Sequence, residues 1–304
     1  MAEEITFFSK NDIECPVCGT SFKREELLTG RGRLSAGELT NELRRTYLPT
    51  KKFGKVNPLL YPITVCPTCF YAADDNDFLN IPPKAVQNIK NYKTVRANYM
   101  IKIFGKLPSF RETRDTVAGI SSYIMAISSY PFFDRKKFSP SIKIGISYLR
   151  ASWLFTDLFE LTKEPKFQDL SQSFGMKALE FYDLAIINQS KAAEPMENIR
   201  SLGPDTDKNF GYDGVLYVNA ILKFKNSHMI EDPFEKLKAY EEIKRTLSKV
   251  FGIGKKAKDK PEVLLNFAKD IYEKIGEEND MLQSSLKNIE TADAGNTQDG
   301  AGTA

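Results

Sequence analysis

Every cysteine of the chain falls in one of two Cys-Pro-x-Cys knuckles, Cys15-Pro16-Val17-Cys18 and Cys66-Pro67-Thr68-Cys69. Four thiols placed two by two are what a tetrahedral Zn²⁺ site needs, and a shared ion would tie two distant stretches of backbone to one point. The single histidine, His228, is remote in sequence, so the simplest closed ligand set is Cys15, Cys18, Cys66 and Cys69 around one ion per chain. In such a knuckle both cysteines aim at the ion while nearby backbone N–H groups donate to the sulfurs. Proline after the first cysteine fixes φ and stiffens the turn. Glycine after the second permits a left-handed conformation without a Cβ clash. Gly19 fills that place in the first knuckle and Phe70 in the second. The second turn is therefore expected either to differ in geometry or to carry local strain.

The same thiols admit other chemistry. A Cys₄ set accepts iron in the manner of rubredoxin. Paired thiols also serve dithiol exchange, normally in a βαβ setting that this sequence does not show. In a secreted chain they would oxidise to disulfides. The opening Met1-Ala2-Glu3-Glu4 is acidic and no apolar stretch with a cleavage site follows it, so a secretory leader is not expected. A reducing cytoplasm then favours metal over disulfides. Zn²⁺ is the expected cofactor, with iron as the alternative.

The stretch from Gly19 to Val65 is far longer than the spacer of a minimal zinc ribbon, about 15–20 residues. It must fold over the site or leave it as a lobe. Thr29 to Gly37, with Gly30, Gly32 and Gly37, reads as turn or irregular strand. Ser35 to Tyr47 is expected as a short helix with Leu39 and Leu43 on one face. Ile63-Thr64-Val65 reads as a short β run ending at Cys66.

Residues 13–79 also resemble an uncharacterised bacterial family, the domain of unknown function 2225. The resemblance rests on Cys15-Pro16-Val17-Cys18-Gly19 with Phe22, on Asn57-Pro58-Leu59-Leu60-Tyr61-Pro62 running through Cys66-Pro67-Thr68-Cys69-Phe70-Tyr71-Ala72, and on Asp77-Phe78. The family usually has glycine where this chain has Phe70. Its members often continue into a helical, tetratricopeptide-like region. The resemblance implies architecture and no activity.

From Pro83 onward the helical period dominates, with helices expected near 83–104, 111–130, 140–162, 166–190, 211–226, 233–251 and 261–289. Asp232-Pro233-Phe234-Glu235 supplies an N-cap carboxylate, proline at the first helical position and glutamate at the third. Leu237, Tyr240, Ile243, Leu247 and Val250 form one apolar stripe, and Val263, Leu264, Phe267, Ile271 and Ile275 another. Stripes of this kind need partners, so stacked helical hairpins are expected. Ala178, Tyr182 and Ala185 match the small-aromatic-small spacing of a second tetratricopeptide helix, but Trp153 sits too far upstream for an uninterrupted repeat unit. The expected class is mainly α: a Cys₄ metal-binding lobe with short β segments over 1–82, a helical, tetratricopeptide-like domain over 83–290, and a disordered tail over 291–304. Thr116 to Phe133 is uncharged, but its serines and Pro131 fit a buried helix better than a membrane span.

The formal net charge is only +3, yet its distribution is uneven. Lys84, Lys90, Lys93, Arg96, Lys102, Lys106, Arg111 and Arg114 oppose the lone acid Glu112 within 83–114, and Arg135, Lys136 and Lys137 follow. Tyr92, Tyr99, Phe104 and Phe110 interleave with them. An anionic partner would use such a stretch, nucleic acid included. A solvated helix face with its aromatics turned into the core is the favoured reading.

No catalytic residue is assigned. His228 reads as a surface or capping residue. Asp74, Asp75 and Asp77 read as a turn, with a second cation site as the alternative. Phe251-Gly252-Ile253-Gly254-Lys255-Lys256 lacks the Walker spacing and reads as a helix cap and linker. The expected function is a non-catalytic adaptor or scaffold in the cytoplasm, engaging a protein partner. A nucleic-acid binder using 83–137 and an iron or dithiol redox protein are the alternatives.

Overall fold

Short antiparallel two-stranded ladders make up the N-terminal part. The computed structural model describes residues 4–252 and 260–296, leaving aside the side chains of 288–296. Strand β1 (Thr6–Phe8) pairs antiparallel with β4 (Glu25–Leu27), and β2 (Ile13–Glu14) with β3 (Ser21–Phe22). Likewise β5 (Ser35–Leu39) pairs with β6 (Arg45–Leu48), and β7 (Ile63–Val65) with β8 (Ala72–Asp74). Each cysteine knuckle is thus the turn of a hairpin, one between β2 and β3 and the other between β7 and β8.

The helix expected over Ser35 to Tyr47 is the β5–β6 hairpin instead. Its side chains alternate with a period of two, and Leu43 occupies the turn at φ 62 with its side chain fully buried. The Leu39–Leu43 spacing that mimicked a helix face thus joins a strand residue to a turn residue. Asp205 fixes the exit by accepting the Arg45 N–H at 2.8 Å.

Helices fill the rest, and the protein is mainly α. They are α1 (Pro83–Asn91), α2 (Lys93–Phe104), α3 (Thr116–Ser129), α4 (Arg135–Phe138), α5 (Pro140–Thr162), α6 (Pro165–Ser190), α7 (Gly211–Asn226), α8 (Pro233–Phe251) and α9 (Glu262–Asn296). The expected helix 83–104 breaks at Tyr92 (ψ 4), and α2 ends on Gly105 in the left-handed conformation that suits glycine at a helix C-terminus. The helix expected from 111 starts only at Thr116, where the Asp115 carboxylate caps it by accepting the Ala118 N–H at 2.7 Å. The α5–α6 turn consists of Lys163, left-handed at φ 58, and Glu164, after which Pro165 opens α6. Ala178, Tyr182 and Ala185 are fully buried, so their spacing marks a packed face of α6.

The chain divides into two compact units, Met1–Val215 and Leu216–Ala304, with the division inside α7. In the second unit, Tyr240, Ile243, Leu247 and Val250 of α8 and Leu264, Ile271 and Ile275 of α9 are buried along the anticipated stripes. Asp232 caps α8 by accepting the Glu235 N–H. Gly252 ends α8 at φ 71 and ψ 178, a conformation that glycine alone adopts readily, while 253–259 and 297–304 lie outside the described residues.

In the first unit, α3 packs on β7, β8 and the 3₁₀ turn Pro58–Leu60. Among the described residues no helix is long and apolar enough to cross a membrane. The uncharged α3 is instead a buried helix, and Gly119 permits its close approach to the turn. A Cβ at Gly119 would lie 2.4 Å from Leu60 Cδ2 and 3.3 Å from Leu60 Cα. Gly119→Ala is therefore expected to destabilise the protein by about 1–3 kcal/mol through overpacking, despite a helix-propensity gain of roughly 1 kcal/mol. Urea denaturation measures this balance. A stabilised variant would mean that Leu60 yields freely.

Candidate metal centre

The two hairpin turns repeat one backbone design. Gly19 N–H donates to Cys15 O at 2.8 Å, and Phe70 N–H donates to Cys66 O at 3.0 Å. On the other edge, Cys15 N–H donates to Thr20 O and Cys66 N–H to Tyr71 O, both at 2.9 Å. Gly19 has φ 73 and Phe70 has φ 59, so the second knuckle keeps the geometry of the first and takes the strained branch of the expectation. A left-handed L-residue costs about 1–2 kcal/mol. Burial of the Phe70 side chain, 8% exposed, contributes roughly 1.5–3 kcal/mol and outweighs that strain.

Facing each other, the turns bring the four sulfurs of Cys15, Cys18, Cys66 and Cys69 within 4.8 Å of one another. The short separations run between knuckles: Cys15 Sγ to Cys69 Sγ and Cys18 Sγ to Cys66 Sγ are both 3.6 Å. Those separations far exceed the ~2.05 Å of a disulfide. They approach the ~3.8 Å tetrahedron edge that follows from Zn–S bonds of about 2.3 Å. Cys15, Cys66 and Cys69 are buried and Cys18 partly so. Backbone N–H groups of Thr68 and Cys69 donate to the Cys66 sulfur, and that of Val17 to the Cys15 sulfur. Hydrogen bonding with Cys15, then Cys69, pulls the Cys66 thiol down, while contact with Cys66 pushes the Cys15 thiol up and contacts with Cys15, then Cys66, push the Cys69 thiol up. Four crowded sulfurs cannot all be anionic without a cation among them, and a metal ion supplies one.

The surroundings fit that charge. Arg96 of α2, only 2% exposed, donates through Nη2 to Cys69 O at 3.0 Å and Ile89 O at 2.7 Å. Its Nε and Nη1 are buried without a hydrogen-bond partner. Burial lowers its pKa, and the neighbouring Cys69, Cys15 and Cys66 sulfurs oppose that shift. A buried cation beside a thiolate set is the complement of a site with excess negative charge.

Aromatic residues seat the turns. Tyr71 stacks on Phe78 with centroids 4.7 Å apart, and Phe22 meets Phe78 edge-on at 5.9 Å. From α3, the Tyr123 hydroxyl donates to Leu59 O at 2.7 Å. Arg114, just before α3, donates to Leu60 O at 2.9 Å and Ile63 O at 2.8 Å.

The acidic run after the second knuckle spreads its side chains. Asp74 accepts the Asn76 N–H at 3.1 Å in a tight turn. Asp75, raised by burial, accepts the Thr64 hydroxyl and pairs with Arg24 at 3.3 Å. Asp77 is buried, pairs with Lys143 and accepts the Tyr130 hydroxyl at 2.9 Å. Among the described residues the cysteine set is the sole cluster with metal-ligand geometry, so the acids form a structural turn. His228 is exposed in a 3₁₀ turn against Lys225 O, as a surface residue.

Comparison with known proteins reaches well beyond the knuckles. The family model described as an uncharacterized protein conserved in bacteria, DUF2225, matches residues 8–275. The chain belongs to this family. A protein of Borreliella burgdorferi (strain ATCC 35210 / DSM 4680 / CIP 102532 / B31), named as an uncharacterized protein, is 38% identical over 276 residues, covering 91% of this chain and 98% of its own. No solved structure matches. The match thus spans the cysteine hairpins, α3 and the later helices into α9.

Sequence reasoning missed Arg96, Arg114 and the Asp77–Lys143–Tyr130 cluster. Arg96 and Arg114 were grouped with the solvated lysines, because charge alone does not reveal which basic residues turn inward. The available signal was position: Arg96 lies one turn before Met100, which is fully buried.

Proposed function

We propose that the protein is a non-catalytic adaptor or scaffold, in which Cys15, Cys18, Cys66 and Cys69 hold one structural zinc ion per chain. On this reading residues 1–82 form the metal lobe, and the helices of 83–290, tetratricopeptide-like in kind, engage a protein partner in the cytoplasm. The convergence of four sulfurs from two equivalent hairpin turns carries the proposal. A closed Cys₄ set stabilises a fold, whereas catalytic zinc keeps one position open for water or substrate. Seating by Tyr71, Phe78 and Arg114 supports a role in holding hairpins on helices. Stacked helices offer grooves suited to peptides and helices.

Elemental analysis of protein purified anaerobically without added metal tests the site. One zinc per chain is expected. Stoichiometric iron with a reducible red chromophore would replace this reading by electron transfer, and four free thiols without metal would replace it by dithiol chemistry.

A second reading has its own support. Of the four aromatics interleaved with the basic residues of 83–114, Phe110 is buried and Phe104 half-buried, but Tyr92 and Tyr99 are 45% and 51% exposed. Tyrosines beside lysines suit single-stranded nucleic acid. Oligonucleotide affinity falling steeply with salt would favour this reading over protein binding.

A further inference from the structure

The exposed tyrosines border a groove whose chemistry is more specific than a charged surface. Val95 and Tyr99 lie one turn apart on one face of α2, and Tyr92, the residue just before α2, lines the same groove. Phe174 of α6, Ile127 of α3 and the adjacent Phe132 also line it. The cavity is about 450 Å³. Val95 is 55% exposed between two tyrosines of similar exposure, so the three make one contiguous apolar patch.

The rim defines the charge of what fits. Helices α1 and α2 together contain no acid. Arg96 and Lys177 line the groove and no acid does, and Lys102, exposed and without an ion pair among the described residues, follows Tyr99 by three residues on the same helical face. Lys177 pairs only with the exposed Glu180 of its own helix. Arg96 fastens α2 to the metal lobe through its bond to Cys69 O, so α2 presents the groove from a fixed base.

We propose that this groove docks an acidic amphipathic helix of a partner protein. Apolar side chains of the partner would seat against Tyr92, Val95, Tyr99 and Phe174, with flanking carboxylates meeting Lys102 and Lys177. Helical walls call for ridge-into-groove packing by another helix. Val95, Met100, Ile124, Met125 and Ile127 interrupt its aromatic rings, so the groove favours apolar side chains over a continuous base-stacking platform. The proposal rests on the adaptor reading and names the surface and partner chemistry that reading requires.

The test uses the metal-loaded full chain and a fluorescent stapled helix of leucine and glutamate as probe. Its lysine counterpart, a scrambled acidic peptide and a single-stranded oligouridylate serve as comparators. The acidic helix is expected to bind, and Val95→Asp or Tyr99→Glu to weaken it by at least about tenfold. Both positions are exposed, so matching thermal melts should show intact folding. Leu161→Asp, at a position 74% exposed and outside the groove lining, should leave binding unchanged. Equal binding by the scrambled peptide, no effect of Val95→Asp, or oligouridylate taking the same residues would each overturn the assignment. Photocrosslinking in the native host separates the two levels. A discrete protein adduct at Leu161 but not at Tyr99 would sink the groove and spare the adaptor reading, whereas no protein adduct at either position would remove both.

Discussion

Cys66→Ser is expected to release the proposed metal ion and unlock both knuckle hairpins at once. Cys66 is fully buried, its sulfur faces Cys18 at 3.6 Å, and its N–H and C=O close the second turn against Tyr71 and Phe70. Metal binding by a small Cys-rich module contributes on the order of 10 kcal/mol to its folding. The knuckle ladders are only two and three residue pairs long, so their order should lean on that contribution. Loss should spread along contacts. Residues of β2–β3 and β7–β8 should lose hydrogen-exchange protection first, followed by α3, which packs on β7 and β8. In the second compact unit, α8 and α9 should keep their protection. Cys15→Ser should give the same pattern, because its sulfur closes the other cross-knuckle pair with Cys69. Hydrogen exchange with mass spectrometry, run beside metal analysis, reads this directly. Full metal content with unchanged protection in both variants would refute the four-thiolate site.

How much of this centre was legible follows from which interactions are local. Knuckle spacing, Gly19 and the proline positions all act within a few residues, so the cysteine turns could be read from the chain. The capping of α8 by Asp232 and the stripes of α8 and α9 are local for the same reason. The β5–β6 hairpin was misread because its decisive contacts are distant. Trp153 Nε1 donates to the buried Glu42, and Asp205 receives the Arg45 N–H. Neither contact leaves a trace in the Leu39–Leu43 spacing. The basic stretch failed in a more instructive way. Its lysines are solvated as expected, yet two tyrosines face outward and two arginines face inward. Composition gives the charge of a segment, and only the tertiary fold decides which charge turns inward.

Arg114 gives the sharpest test of that inward turn, and Arg114→Ala is expected to destabilise the first compact unit by about 3–5 kcal/mol. Its side chain is 5% exposed and that of its partner Glu25 3%, with Nε and Oε2 at 3.7 Å. Glu25 also accepts the Arg114 N–H, at 3.1 Å to Oε2. Burial pulls the guanidinium pKa down, and Glu25 opposes that shift more than any other neighbour. Removing the arginine strands a buried carboxylate and leaves Leu60 O and Ile63 O without their donor. An uncompensated buried charge costs more than the intact pair contributes, so the pairing matters more than either residue alone. Pairing Arg114→Met with Glu25→Gln should therefore recover part of the loss, although each change removes a charge. Arg114→Lys should recover less than its charge suggests, because one ammonium cannot reproduce the fork that spans two carbonyls and a carboxylate. Urea denaturation of the metal-loaded chains measures the series. If Arg114→Ala falls within about 1 kcal/mol of the parent, Glu25 is being hydrated or neutralised on loss of its partner, and the link from β4 to the second knuckle is weaker than its geometry implies.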